Sequence, residues 1–106
     1  MDRNRGYAQF EVLSPWAEID PVPLRGISPR LSSLDGKKIG LFFNSKRGAR
    51  PMLATIERRL KERFPKLEAT YYASSRVNFS EIDTENRAKF QEWVRGVDAV
   101  ITAVGD

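Results

Sequence analysis

Residues 34–44 read Leu34-Asp35-Gly36-Lys37-Lys38-Ile39-Gly40-Leu41-Phe42-Phe43-Asn44, a turn followed by a short apolar run. Asp35-Gly36 supplies the turn chemistry, and Ile39 to Phe43 stays apolar without alternation until Asn44. Such a run suits a parallel strand covered on both faces. After an Asn44 to Gly48 loop, Pro51 falls where a first helical turn tolerates proline. Leu53, Ile56, Leu60 and Phe64 then recur at helical spacing until Pro65 stops the helix. Leu67, Ala69 and Tyr71 alternate with Glu68, Thr70 and Tyr72, which predicts an edge strand with one better-buried face. Ser80-Glu81-Ile82-Asp83 predicts the cap of a second helix, which runs through Phe90, Trp93 and Val94 to Gly96. Val97 to Val104, rich in β-branched residues, predicts a third strand covered on both faces.

The resulting order is β-α-β-α-β. Right-handed crossovers make this an α/β fold, a Rossmann-like three-stranded parallel sheet of order 2-1-3 with helices on both faces. It spans residues 34–106 and reads as an incomplete domain, because its apolar third strand needs a neighbour or a cover. Residues 1–33 form an irregular arm that holds four of the six prolines, Pro15, Pro21, Pro23 and Pro29. Phe10, Val12, Leu13, Trp16, Ile19, Val22 and Leu24 are too apolar for a disordered tail, so the arm is expected to pack along another surface.

With 106 residues, 41% hydrophobic and 30% charged, the chain is one small domain or a piece of a larger one. It has no Cys and no His, which excludes thiolate chemistry, an imidazole base and the usual zinc, copper and iron–sulfur sites. No metal site follows. The longest apolar run, Ala99 to Val104 interrupted by Thr102, is too short to span a bilayer, and the segment after Met1 has no signal-peptide core. A cytoplasmic protein without membrane contact is expected. Between Lys46 and Lys66 eight basic residues face two acidic ones, a local charge of +6 in a chain of net +4. A solvated helix face with pairs such as Glu57 and Lys61 accounts for this better than nucleic acid, since only Phe64 interleaves with the charges.

In this topology the carboxyl ends of the first and third strands flank a switch-point crevice. Its rim comprises Asn44, Ser45, Lys46, Arg47 and Gly48 on one side and Gly105-Asp106 on the other. Asn44 can donate and accept hydrogen bonds, and Lys46 or Arg47 can hold an anion or lower a nucleophile's pKa. Gly48 opens a helix whose N–H groups, with Arg50, can cradle a phosphate or carboxylate. Gly105 permits close backbone approach, and Asp106 can orient a ligand or cap a following helix. The expected ligand is an unidentified small molecule or an anion. Neither glycine-rich nucleotide signature occurs, so no cofactor is assigned. Tyr71, Tyr72, Ser74, Ser75 and Arg76 lie along the same edge, but tyrosines at a strand end more often close a hydrophobic seam. No residue present is assigned a catalytic role.

The residues from Leu34 to Leu41, Asn44-Ser45-Lys46, the helix carrying Leu53, Ile56 and Leu60, and Val97 to Asp106 resemble the amino-terminal half of UGSC-motif proteins. Leu13-Ser14-Pro15 and Ser28-Pro29-Arg30 are similar too, so the resemblance covers most of the chain from Val12 onward. It implies that a strand ending in Gly-Asp is followed by selenocysteine or cysteine and then Gly-Ser-Cys. This chain holds none of that motif. The expectation is a truncated (seleno)protein fragment, inactive alone, in which an in-frame UGA follows the Asp106 codon. Its full-length form would do thiol or selenol redox or nucleophilic chemistry. The alternatives are a small anion- or nucleic-acid-binding module, a three-stranded miniature that buries its edge as a homodimer, and a subunit whose partner chain covers the third strand.

Overall fold

The computed structural model describes residues 9–16, 19–76 and 80–105. Its elements are β1 (Lys38–Phe43), α1 (Ala49–Arg63), β2 (Glu68–Ala73), a single 3-10 turn (Glu81–Asp83), α2 (Arg87–Arg95) and β3 (Ala99–Ala103). The strands form one parallel sheet in the order β2-β1-β3. Gly36 takes φ +69° in the turn that feeds β1, a left-handed conformation that favours glycine. Asp98 sets the start of the β1–β3 pair: its side chain accepts from the Lys38 N–H at 2.8 Å, and its own N–H donates to the Lys38 carbonyl at 2.7 Å.

Alternation along β1 divides the interior into two layers. Ile39 and Leu41 point toward α1 and, with Leu53 and Leu67, form a fully buried cluster that Ile56, Leu60, Phe64 and Ile101 surround. The opposite face is aromatic. Phe42 and Tyr72 meet Phe90 and Trp93 of α2 at ring separations between 5.2 and 6.4 Å, and the Trp93 indole N–H donates to the Thr70 hydroxyl at 3.0 Å. Gly40 lies beneath this indole, where a Cβ would sit 2.7 Å from two ring carbons. The two helices thus cover opposite faces, as the crossover rule requires.

Four local expectations are corrected. Tyr72, assigned to the poorer face of β2, is the most buried residue of that strand, because α2 lies directly over it. The second helix starts at Arg87 rather than beside Ser80, whose side chain makes no capping hydrogen bond. Instead Thr84 accepts from the Asn86 N–H and donates to the Glu81 carbonyl at 2.7 Å, which ends the 3-10 turn before α2 begins. On β3 only the α1 face is covered. Val100 and Thr102 stay exposed on the other, since the aromatic contacts draw α2 over β1 and β2. The arm does not pack on the domain: its described large apolar side chains are almost fully exposed, as far as Ile27. Among the described residues no helix is long and apolar enough to cross a membrane.

Candidate functional site

A pocket of about 280 Å³ opens at the carboxyl ends of β1 and β3, lined by Phe42, Asn44, Thr102, Ala103, Val104 and Gly105. It exists because α2 leaves this part of the sheet uncovered. Asn44 organises it. Its N–H continues the ladder to the Ala103 carbonyl at 3.1 Å, its side-chain amide donates to the Val104 carbonyl at 2.7 Å, and its Oδ1 accepts from the Val104 N–H at 3.4 Å and the Lys46 N–H at 3.2 Å. One side chain therefore extends the β1–β3 pairing by a residue and also closes the following loop, an Asx-type turn.

Of the rim residues anticipated from the sequence, Asn44 and Gly105 line the pocket together. Lys46, Arg47 and Gly48 are exposed on the loop leading into α1 and do not line it. Gly48 has φ −75°, and a Cβ there would meet no atom within 4 Å, so its backbone does not require glycine. Asp106 lies outside the described residues. Arg50, in the first turn of α1, stacks its guanidinium 4.8 Å from the Tyr71 ring and 5.5 Å from Phe43.

Part of the charge on α1 is paired locally. Lys61 pairs with Glu57 at 2.9 Å, Arg59 with Glu62 at 3.8 Å, and Arg63 lies over Phe64. This is the solvated helix face that the charge pattern suggested. The Tyr71 hydroxyl donates to the other Glu57 oxygen at 2.8 Å. The Lys61 hydrogen bond, with that of Tyr71, holds the Glu57 carboxyl below its ordinary value. Tyr71→Phe is expected to cost about 1 kcal/mol, and to move the Glu57 titration, followed by NMR, back toward 4.5.

A buried carboxylate at the end of β2 escaped sequence reasoning. Glu81 is 3% exposed. Its Oε1 accepts from the Tyr72 hydroxyl at 2.8 Å, and its Oε2 accepts from both the N–H and the hydroxyl of Ser75 at 2.9 Å. Burial alone would raise this carboxyl, but the hydrogen bonds from Ser75, Tyr72 and Asn86 outweigh it and hold it below its ordinary value. Burial, with the bond to Glu81, pushes the Tyr72 phenol up to about 12. The charge is thus fully solvated by protein donors, which fits an anchor for the 74–76 loop rather than a proton donor. In the sequence Glu81 follows a serine before a helix, and its inward turn depends on partners that only the fold brings near.

Compared with known families, residues 11–106 match the family model described as the UGSC family. No curated protein and no solved structure matches the chain.

Proposed function

Because the chain belongs to the UGSC family, we propose that it forms the front wall of a thiol or selenol site. The nucleophile is supplied by the residue that follows Asp106 in the complete protein. The observation that supports this reading most is the double hydrogen bond from the Asn44 side chain to the Val104 backbone. It fixes the direction in which the chain leaves β3, beside a pocket that Gly105 also lines. A selenolate or thiolate two positions beyond Gly105 stands within reach of that pocket. It acts as nucleophile or redox centre, with the later cysteine of a Gly-Ser-Cys sequence as its resolving partner. Lys46 and Arg47, close in sequence to Asn44, favour the deprotonated form and an anionic small-molecule substrate. On this reading the chain as given is inactive, and the protein works in the cytoplasm as a selenoprotein or its cysteine equivalent.

The test begins with the gene. In-frame codons after Asp106 should encode selenocysteine or cysteine and then Gly-Ser-Cys, and any other continuation ends the proposal. The extended protein, made with cysteine at the first motif position, is then alkylated with iodoacetamide across pH. Its thiol should titrate below the ordinary 8.5. Asn44→Ala, and separately Lys46→Gln with Arg47→Gln, should each slow alkylation at pH 7 by roughly tenfold, the effect of about one pKa unit. A thiol that titrates normally in every variant would leave the pocket without a role in activation.

A further inference from the structure

We draw no further inference here: the strongest candidate, the exposed apolar arm between Phe10 and Ile27 together with the uncovered Val100 and Thr102 face of β3, carries none, since nothing in the structure shows what covers either surface.

Discussion

Gly40→Val is expected to destabilise the domain by about 3 kcal/mol, the upper range for forcing atoms into a filled interior. A Cβ at this position lies 2.7 Å from two carbons of the Trp93 indole and 3.3 Å from a Val100 methyl. The indole has little freedom to yield. Its N–H is held by Thr70, and its faces and edges meet Phe42, Tyr72 and Phe90. The added methyls must therefore separate α2 from the sheet or rotate Trp93 out of its hydrogen bond. For a domain this small the melting temperature should fall by roughly 4–8 °C for each kcal/mol, read by calorimetry. Trp93→Leu in the same chain should return part of the loss, because the two changes share one space and are not additive. Additive effects would mean that the close approach is not the cause.

Glu81→Ala should cost about 3 kcal/mol by leaving the Tyr72 hydroxyl and two Ser75 donors without their charged acceptor. Glu81→Gln keeps one acceptor oxygen and should cost less. The same carboxylate sets an acid limit. Its folded-state pKa lies below the ordinary 4.5, so its contribution is fully present above that value and is lost as pH falls through the folded-state value. Glu57 shifts in the same direction, so Glu81→Gln should shrink the acid loss without abolishing it. At the alkaline end the sign reverses. Tyr72 is raised from 10 to about 12, so the stability it confers as a neutral phenol persists below pH 10 and drains as pH rises through about 12. Tyr72→Phe should flatten that limb in denaturant titrations at successive pH values.

The strands, α1 and the order 2-1-3 were legible because they rest on periodicity and on the handedness of crossovers, which a sequence displays directly. Leu53, Ile56, Leu60 and Phe64 mark the inner face of α1 without any knowledge of its neighbours. Two features were illegible for one shared reason. Whether Tyr72 or Val100 is covered depends on where α2 comes to rest, and that is decided by aromatic contacts between residues distant in the chain. Glu81 failed likewise, since a carboxylate beside a helix start reads as a cap unless Tyr72 and Ser75 are known to stand behind it. Of the site, Asn44 and Gly105 followed from topology. The pocket itself required the uncovered corner of the sheet.

The Asn44 side chain also governs how a disturbance spreads. By holding both polar groups of the Val104 peptide backbone while receiving the Lys46 N–H, it makes the loop after β1 and the segment after β3 one mechanical unit. A ligand that displaces the 44–48 loop must pull Val104 with it, so the corner transmits displacement in both directions like a stiff bracket. In hydrogen exchange, the amides of Lys46 and Val104 should open together, at one common rate, and Asn44→Ala should split them into two independent motions.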